Sequence, residues 1–350
     1  MAMFGENTLT AIVADFRSDT VTRPSAGMRQ AMLTAELGDD VYGDDPTVNR
    51  LEAYIAELTG KEAGLLCTSG TQSNLVALLA HCQRGDEYIV GQEAHTYKYE
   101  GGGAAVLGSI QPQPIEFEAD CTLDLDKVRA KLKADNSHFA RSRLLCLENT
   151  CGGIVLPLDY HARAAGFCAE HGLALHLDGA RLFNATQQQG VAPLDIARHY
   201  DSVSLCMSKG LGAPVGSLLV GDRAFIDEAH KWRKMLGGGM RQAGMIAAAC
   251  QYALEHNIQG LSRDHEHAQQ LAQGLSAIAG ISCDPAAVQT NMVFMAIDDA
   301  AQAAPLQAFL AERGIIVRGD RELRLVTHLD IDRQGIDSMI QACGYFFSRA

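Results

Sequence analysis

The sequence predicts an α/β protein with a large domain built on a mostly parallel sheet and a smaller α+β domain at its C-terminal end. Its 350 residues exceed the size at which one hydrophobic core normally stops growing, which favours two domains. Nearly continuous apolar segments alternate with helical segments over residues 63–255, as expected for strands covered on both faces. From about residue 256 the pattern changes, so we expect an N-terminal segment over 1–24, a large domain over 25–255 and a small domain over 256–350.

Composition disfavours several classes of partner. The formal net charge of −13 argues against nucleic acid and anionic membrane surfaces, because both require clustered Lys and Arg. No membrane span is visible, and residues 1–14 lack the basic start and apolar core of a signal peptide. We therefore expect an ordered or frayed N-terminal extension and a cytoplasmic protein. The ten cysteines are scattered without a Cys-x-x-Cys pair, which favours reduced thiols over disulfides or a metal site.

The chain begins with helices separated by an acidic loop. Residues 16–24 are polar and extended, and a helix is predicted from Ser25 to Leu37, with Gly38 as a suitable C-terminal cap. A second helix is predicted over 47–58. The loop at 38–46 carries four aspartates. It is either a solvated loop that caps the second helix or a loop that reaches into a neighbouring site with Tyr42 as the contact, and composition does not choose.

A strand, a small polar turn and a helix follow. Residues 63–67 predict a buried strand, and the turn Thr68-Ser69-Gly70-Thr71 leads into a helix with Leu75 and Leu78 on one face. This arrangement points free backbone amides and the positive end of a helix dipole at an anion such as a phosphate. Ser-Gly-Thr is also an ordinary helix cap, so the turn alone does not identify a site.

The next strand, residues 87–90, precedes a histidine at position 95. A lone histidine is more often structural than catalytic, but its position at a strand end favours a role in a site. The glycines at 101–103 lack the spacing of a nucleotide-binding loop and indicate flexibility or close packing.

Residues 143–148, 158–171 and 173–177 predict a strand, a helix and a strand, which form a right-handed parallel βαβ unit. Strands at 202–207 and 215–220 flank a loop that contains Lys209. A helix is predicted over 223–235, where Lys231, Arg233 and Lys234 complement the helix dipole. Arg241, beyond the glycines at 237–239, is not explained in this way, and a helix over 242–254 closes the domain.

The small domain combines helices and strands. After a first helix, strands are predicted at 291–297, 315–317 and 322–326, with helices at 306–313 and 334–347. His265 and His267 are two residues apart and do not share a helical face, which argues against a metal pair.

Asp178 and Lys209 end two neighbouring apolar strands. In open α/β sheets, ligands bind in the crevice beyond the carboxyl ends of the strands. A carboxylate and a lysine at that position suit pyridoxal phosphate, because the carboxylate takes the ring nitrogen and the amine takes the aldehyde.

With these segments in place, the chain resembles the L-threonine aldolases of the low-specificity and L-allo-threonine type. The resemblance implies the aspartate-aminotransferase-like fold (fold type I) of pyridoxal-phosphate enzymes, with a mostly parallel seven-stranded sheet. It covers nearly the whole chain and is specific because many long segments occur in the right order. These segments are residues 17–22 (Arg-Ser-Asp-Thr-Val-Thr), 38–46, 176–181 (His-Leu-Asp-Gly-Ala-Arg), 208–217, 237–242 and 324–328 (Arg-Leu-Val-Thr-His).

The resemblance implies pyridoxal 5′-phosphate as the cofactor and assigns residues to it. Lys209 links covalently to the cofactor aldehyde, Asp178 pairs with the ring nitrogen and His95 stacks on the ring. The other residues assigned to the cofactor are Ser69, Gly70 and Thr71 at the phosphate, Arg181 beside the ring oxygen, and Ser208 and Arg241. No metal is implied.

The resemblance also implies substrate-binding residues and a homo-oligomer. Ser18, Arg181 and Arg324 take the substrate carboxylate, and His138 lies near the substrate hydroxyl. Tyr42, Lys234 and Arg241 match residues supplied by a partner subunit, since family members are dimers or dimers of dimers. We therefore expect self-association with the active site at a dimer interface, as a homotetramer.

The reaction implied is cleavage of a β-hydroxy-α-amino acid, such as L-threonine or L-allo-threonine, into glycine and an aldehyde, in threonine catabolism and glycine biosynthesis. His138 and His95 are the candidate bases for the hydroxyl proton, and we favour His138. Rival interpretations are a transaminase or β-eliminating lyase on the same fold, or a non-catalytic cofactor-binding module.

One segment departs from the family. Its members commonly have Glu-Asn-Thr-His-Asn-Gly where this chain has Glu148-Asn149-Thr150-Cys151-Gly152-Gly153, so a cysteine stands at a histidine position. Because the lysine already supplies the covalent step, Cys151 is not expected to be a nucleophile.

Overall fold

The computed structural model describes residues 12–349. Its strands, numbered in chain order, are β1 (Ala14–Asp15), β2 (Ala63–Cys67), β3 (Asp86–Gly91), β4 (Gln111–Ile115), β5 (Arg141–Glu148), β6 (Ala174–Asp178), β7 (Ser202–Cys206), β8 (Ser217–Gly221), β9 (Ile281–Cys283), β10 (Met292–Ile297), β11 (Ile315–Ile316) and β12 (Glu322–Val326).

The α-helices of this part of the chain are numbered in the same way. They are α1 (Ala26–Leu33), α2 (Pro46–Thr59), α3 (Gly70–His81), α4 (His95–Lys98), α5 (Gly103–Gly108), α6 (Leu125–Lys131), α7 (Leu158–His171), α8 (Leu182–Gln189), α9 (Pro193–Ala197), α10 (Arg223–Met235), α11 (Gly244–His256), α12 (Leu261–Ser276), α13 (Ala303–Ala311) and α14 (Arg333–Phe347).

The chain divides into two compact units. The large unit spans residues 23–260, and the small unit combines the described residues up to Thr22 with the chain from Leu261 onward. The described residues up to Thr22 thus contribute to the small unit together with the C-terminal part of the chain. Residues 1–11 of the expected N-terminal extension lie outside the described residues.

The large unit contains the predicted seven-stranded, mostly parallel sheet. Its strand order is β2-β8-β7-β6-β5-β3-β4, and β8 runs antiparallel to both of its neighbours while the other adjacent pairs are parallel. The predicted βαβ unit is confirmed, because β5 and β6 pair in parallel on either side of α7. The carboxyl ends of β2, β3, β5, β6 and β7 therefore meet at one edge of the sheet.

Most strands of this sheet are buried because both of its faces are covered. All residues of β2, β3, β7 and β8 are buried. Leu65 and Leu66 face opposite sides of the sheet and are 2% and 0% exposed. Full burial of one such side chain contributes about 1.5–3 kcal/mol, so continuous hydrophobic strands are stable only inside this layered arrangement.

Most predicted helices have the expected bounds, with one clear difference. Ser25 caps α1 through its hydroxyl, which accepts a hydrogen bond from the amide of Met28 at 3.1 Å. The helix ends at Leu33, four residues before the predicted end, and the residue that follows is Thr34 rather than a glycine. The prediction that Gly38 caps this helix is therefore wrong.

The edge strand β4 was not predicted. It contains Pro112 and Pro114, which lack a backbone N–H and normally argue against a strand. These prolines are tolerated because β4 is the last strand in the order and pairs only with β3. A proline at a sheet edge does not remove a hydrogen bond to a second neighbour.

The acidic loop is only partly the solvated loop that the composition suggests. Asp45 caps α2, accepting hydrogen bonds from the amides of Thr47 and Val48 at 3.1 Å, which confirms the capping role. However, Asp40 and Asp45 are 7% and 0% exposed. Asp40 accepts a hydrogen bond at 2.8 Å from the fully buried Arg233. The expectation that Arg233 merely complements the dipole of α10 is therefore incomplete.

The small unit is the predicted α+β arrangement. Its antiparallel sheet has the order β12-β10-β9, and β1 pairs in parallel with β11. Leu271, Leu306 and Met339, from α12, α13 and α14, are buried in one core with β10 and β12. Within residues 12–349, no helix is long and apolar enough to cross a membrane.

Candidate active site at the carboxyl edge of the large sheet

Asp178 is the last residue of β6 and is only 2% exposed. Both of its carboxylate oxygens accept hydrogen bonds. Oδ2 accepts from Nδ2 of Asn74 at 2.9 Å, and Oδ1 accepts from the amide of Ala180 at 3.0 Å. The next residue must be small, because a Cβ at Gly179 would lie 2.8 Å from the carbonyl oxygen of Ser204. The carboxylate is therefore fixed in orientation by its surroundings.

Lys209 lies in the turn that follows β7, the strand beside β6. The turn is closed by hydrogen bonds from the amide of Gly212 to the Lys209 carbonyl at 2.8 Å and from the amide of Met207 to Gly216 at 3.0 Å. The lysine is half-buried, and its positive charge lowers the pKa of both His95 and Glu148. The lysine is thus positioned close to both of these residues.

His95 is the first residue of α4, four residues beyond the end of β3. Its amide donates to Oε2 of Glu148 at 2.7 Å, and its Nδ1 lies 2.8 Å from Oε1 of Glu100. The Glu100 side chain is 4% exposed while that of His95 is 41% exposed. The hydrogen bond with Glu100 raises the pKa of His95 above its ordinary value.

The N-terminal end of α3 has the geometry of an anion-binding site. Ser69 caps the helix, and its hydroxyl accepts from the amide of Gln72 at 3.1 Å. The first amides of a helix have no partner within the helix, so those of Gly70 and Thr71 remain to bind an anion. Gly70 lies beside the lysine turn, because a Cβ there would be 3.8 Å from Ser217 Oγ.

Two serines add hydroxyl groups to this corner. Ser208, next to the lysine, has its Oγ 3.4 Å from Sγ of Cys206. The hydroxyl of Ser217 is fully buried and has no hydrogen-bond partner within the described residues. Arg181 is half-buried three residues after Asp178, at the start of α8.

Four other predicted residues of the large unit are exposed. Tyr42 is 76% exposed, and Lys234 is exposed beside Gly239. Arg241 is exposed and pairs with Asp39 at 3.0 Å. His138 is exposed three residues before β5 begins. Since β5 is eight residues long and rises about 3.3 Å per residue, the structure does not bring His138 to the carboxyl edge of its own sheet.

Ser18 and Arg324 belong to the small unit. Ser18 caps a short 3-10 helix at Asp19–Val21, and its hydroxyl accepts from the amide of Thr20 at 3.2 Å. Arg324 is exposed on β12, and its Nη2 lies 3.4 Å from the carbonyl oxygen of Arg17. The two predicted carboxylate-binding residues are therefore neighbours within this unit.

Sequence reasoning missed a buried hydrogen-bond network. Nδ2 of Asn74 donates to Oε1 of Glu100 at 2.9 Å as well as to Asp178. Its Oδ1 lies 3.3 Å from Nε2 of His176, whose Nδ1 lies 2.8 Å from Ser202 Oγ. Asn74 thus links Asp178 to Glu100, the residue that holds His95.

Glu148 was also missed, although a signal for it existed. It ends β5 in register with Asp178 at the end of β6, so the position of both carboxylates is readable from the strand ends. Burial raises the pKa of Glu148 to about 7 and raises the pKa of Glu100 above its ordinary value. Asn74 and Glu100, in contrast, lie inside helical or loop segments without a distinctive pattern.

These groups fit pyridoxal phosphate. A fixed carboxylate, an amine and a helix N-terminus with nearby hydroxyls correspond to the ring nitrogen, aldehyde and phosphate of that molecule. His95, Glu100 and Asp178 also bring nitrogen and oxygen atoms within 4.8 Å of one another, as in a metal site. Their hydrogen bonds to each other and to Asn74 account for this closeness.

Comparison with known proteins gives the family. The model of the Beta-eliminating lyase family matches residues 15–298. The low specificity L-threonine aldolase of Escherichia coli (strain K12) is 52% identical over 335 residues, covering 96% of this chain and 99% of that protein. Low-specificity L-threonine aldolase 1 of Arabidopsis thaliana is 45% identical over 327 residues and 91% of each chain.

A solved structure of a threonine aldolase from Leishmania major has the same fold. It superposes with a TM-score of 0.81 at 21% identity, covering 95% of this chain and 99% of that chain. Fold and site together define a lyase of fold type I that depends on pyridoxal 5′-phosphate. The chain belongs to the Beta-eliminating lyase family, in which its relatives include proteins named low-specificity L-threonine aldolases.

Proposed function

We propose that this protein is a low-specificity L-threonine aldolase, which cleaves the Cα–Cβ bond of β-hydroxy-α-amino acids to give glycine and an aldehyde. The observation that carries the proposal is the convergence of Asp178, Lys209 and the His95–Glu100 pair at one edge of the sheet. The names of the relatives that match nearly the whole chain support this choice of bond.

The cofactor would be held at both ends. Asp178 would pair with the ring nitrogen, Lys209 with the aldehyde, and the phosphate would lie against Ser69, Gly70, Thr71 and Ser208. Arg181 would lie beside the ring oxygen. Pyridoxal phosphate supplies a conjugated ring that accepts the electron pair released when a bond to Cα breaks. Asp178 would keep the ring nitrogen protonated, and its two hydrogen bonds hold the carboxylate in one orientation.

The substrate would be oriented by its carboxylate. Arginine binds a carboxylate through two parallel hydrogen bonds, which fix orientation as well as charge. We therefore propose Arg181, Arg324 and Ser18 for this role. Holding the carboxylate selects which bond to Cα lies perpendicular to the cofactor ring, and that bond is the one that breaks.

His95 is the base that one chain provides at this edge. With Nδ1 bonded to Glu100, the proton of a neutral ring lies on Nδ1 and Nε2 is free to accept the hydroxyl proton of the substrate. A positioned base of this kind contributes about 10²–10⁴-fold to the rate. His138, the base that the sequence favoured, lies near the amino end of β5, whereas His95 lies at the carboxyl edge of the sheet. We therefore propose that His138 contributes to the active site of a second subunit.

We propose a homotetramer with the active site at a dimer interface, to which Tyr42, Lys234 and Arg241 contribute from the partner subunit. The large exposed apolar side chains Leu33, Tyr42 and Met235, which are 76%, 76% and 71% exposed, support self-association. A cytoplasmic enzyme of threonine catabolism and glycine biosynthesis is the corresponding cellular role.

The experiment that tests the reaction is product analysis. Purified protein with added cofactor is mixed with L-threonine and, separately, with L-allo-threonine, and glycine and acetaldehyde are measured against 2-oxobutyrate. Equimolar glycine and acetaldehyde are expected. The family name favours β-elimination as a second candidate, and 2-oxobutyrate as the main product would replace the aldolase proposal by that one.

The attachment of the cofactor is tested separately. Wild-type protein treated with borohydride should retain the cofactor covalently, whereas Lys209→Ala should not. Lys61→Ala, a half-buried lysine elsewhere in the large unit, is the matched control and should retain it. Retention by Lys209→Ala would show that another amine forms the link.

A further inference from the structure

Cys121 and Cys151 are separated by 30 residues of sequence but lie in contact. The thiol of Cys121 donates to the carbonyl oxygen of Cys151 at 3.5 Å. The Cys121 thiol also interacts closely enough with the Cys151 thiol to shift the pKa of each. The two sulfur atoms are therefore neighbours in the folded protein.

The backbone holds both cysteines in tight turns. Cys121 has a left-handed conformation with φ of 61°, and its amide donates to Glu118 at 2.9 Å. Cys151 and Ile154 exchange two backbone hydrogen bonds, at 3.1 and 2.9 Å. A left-handed backbone is unfavourable for a residue with a side chain, so the position of the Cys121 thiol is determined by its surroundings.

The two thiols differ in accessibility and acidity. Cys121 is partly exposed, and Cys151 is 9% exposed. The hydrogen bond from Cys151 lowers the pKa of Cys121, and the same bond raises the pKa of Cys151. A more acidic and accessible thiol beside a buried one is the arrangement of an attacking cysteine and a resolving cysteine.

The other eight cysteines lack this arrangement. Seven are buried, and the eighth, Cys283 in β9, is partly exposed and has its pKa raised by burial. Cys151 stands where the family that this chain resembles commonly has histidine, so the pair includes a residue that departs from that common pattern. Glu148, the buried carboxyl that binds the amide of His95, raises the pKa of both thiols through its charge, which places the pair close to the site.

We propose that Cys121 and Cys151 form a dithiol modification site that reacts with hydroperoxides and closes to a disulfide. The Cys121 thiolate attacks one oxygen of hydrogen peroxide, the O–O bond breaks, and hydroxide leaves with a proton as water. Cys151 then displaces the hydroxyl from the oxidised Cys121 sulfur, forming the S–S bond and a second water. Two thiols are oxidised by two electrons in total, and one peroxide is reduced to two waters.

The test uses reduced, full-length holoenzyme treated with a small excess of hydrogen peroxide, then unfolded and alkylated. The product should have lost the mass of two hydrogen atoms and should carry two fewer alkyl groups than the ten of the reduced chain. Peptide mapping should identify one crosslink, between the peptides that contain Cys121 and Cys151, and dithiothreitol should restore both thiols.

Single variants distinguish this site from general oxidation. Cys121→Ser and Cys151→Ser should each abolish the crosslink, whereas the matched control Cys283→Ser should form it as the wild type does. In Cys151→Ser, Cys121 should accumulate a sulfenic acid that a dimedone probe captures. A crosslink that survives in either single variant, or a wild-type product that carries added oxygen on Cys121 and no crosslink, would overturn the proposal.

Discussion

Asn74 donates a hydrogen bond from Nδ2 to Oδ2 of Asp178 at 2.9 Å, across 104 positions of sequence. The same nitrogen donates to Glu100 at 2.9 Å. Replacing Asn74 by Ala leaves two buried carboxylates without this donor. We expect the free energy of unfolding to fall by about 1–3 kcal/mol and the dissociation constant of the cofactor to rise about tenfold or more.

Chemical denaturation and titration of apoprotein with pyridoxal phosphate measure these two effects. Ser282→Ala is the control, because it removes an exposed hydrogen bond to Asp298 in the small unit and should change stability by about 0.5 kcal/mol or less. Cofactor affinity that is unchanged in Asn74→Ala would mean that Asp178 does not need this partner.

Glu100 should set the pH dependence through His95. Because the hydrogen bond from His95 to Glu100 raises the pKa of the histidine, its stabilising effect is complete at low pH and is lost as pH rises through the raised pKa. A base must be deprotonated, so kcat/KM should rise with pH through that same value. Glu100→Gln removes the charge, and both the histidine pKa and the acidic limb of the profile should move to lower pH.

Histidine NMR of the apoprotein measures the pKa of His95, and the pH profile of threonine cleavage measures the acidic limb independently. Glu93→Gln removes an exposed carboxylate that pairs with Lys98 and should leave the midpoint unchanged. We also expect kcat/KM of Glu100→Gln to fall about tenfold or more at neutral pH, since the ring is less well oriented. If the midpoint of the pH profile in Glu100→Gln is the same as in the wild type, the base is another group.

Arg324→Ala should weaken substrate binding more than cofactor binding. A charge-assisted hydrogen bond contributes about 1.5–3 kcal/mol, so KM for L-threonine should rise about tenfold to a hundredfold. Steady-state kinetics and cofactor titration measure the two quantities. Arg333→Ala, an exposed arginine that pairs with Asp337 on α14, should leave both unchanged. Equal losses in cofactor and substrate binding would argue against a carboxylate-binding role.

Asp264 should make the protein less stable as pH rises. Burial raises the pKa of this carboxyl to about 7 from 3.8, and its Oδ1 has no hydrogen-bond partner within residues 12–349. A raised carboxyl pKa means that the folded state binds the proton more tightly than the unfolded state. Stability is then greatest below about pH 4 for this group and is lost between about pH 4 and 7.

Asp264→Asn should remove this pH-dependent loss in the free energy of unfolding, which amounts to a few kcal/mol at most. Denaturant unfolding of the variant and the wild type at pH 5 and pH 8 gives the difference directly. Asp298→Asn, an exposed carboxylate of the same unit, is the control. The same pH dependence in Asp264→Asn and wild type would show that Asp264 is already charged in the folded protein.

Elements with strong local signals could be predicted from the sequence alone. Periodicity and the rule for open parallel sheets predict the apolar strands β2 and β12, the helices α7 and α10, Asp178 at a strand end and Lys209 just beyond one. The Ser69 turn was readable for the same reason, because a strand, a small polar turn and a helix form the anion site locally.

The meeting of distant side chains depends on the three-dimensional fold. Asn74, Glu100 and Asp178 are joined by hydrogen bonds across up to 104 positions, and no local pattern records such a contact. The edge position of β4, which tolerates two prolines, depends on strand order. Local propensity determines whether a segment forms a helix or a strand. Which segments pack together depends on long-range contacts, because the same elements could pair in many alternative arrangements of different energy.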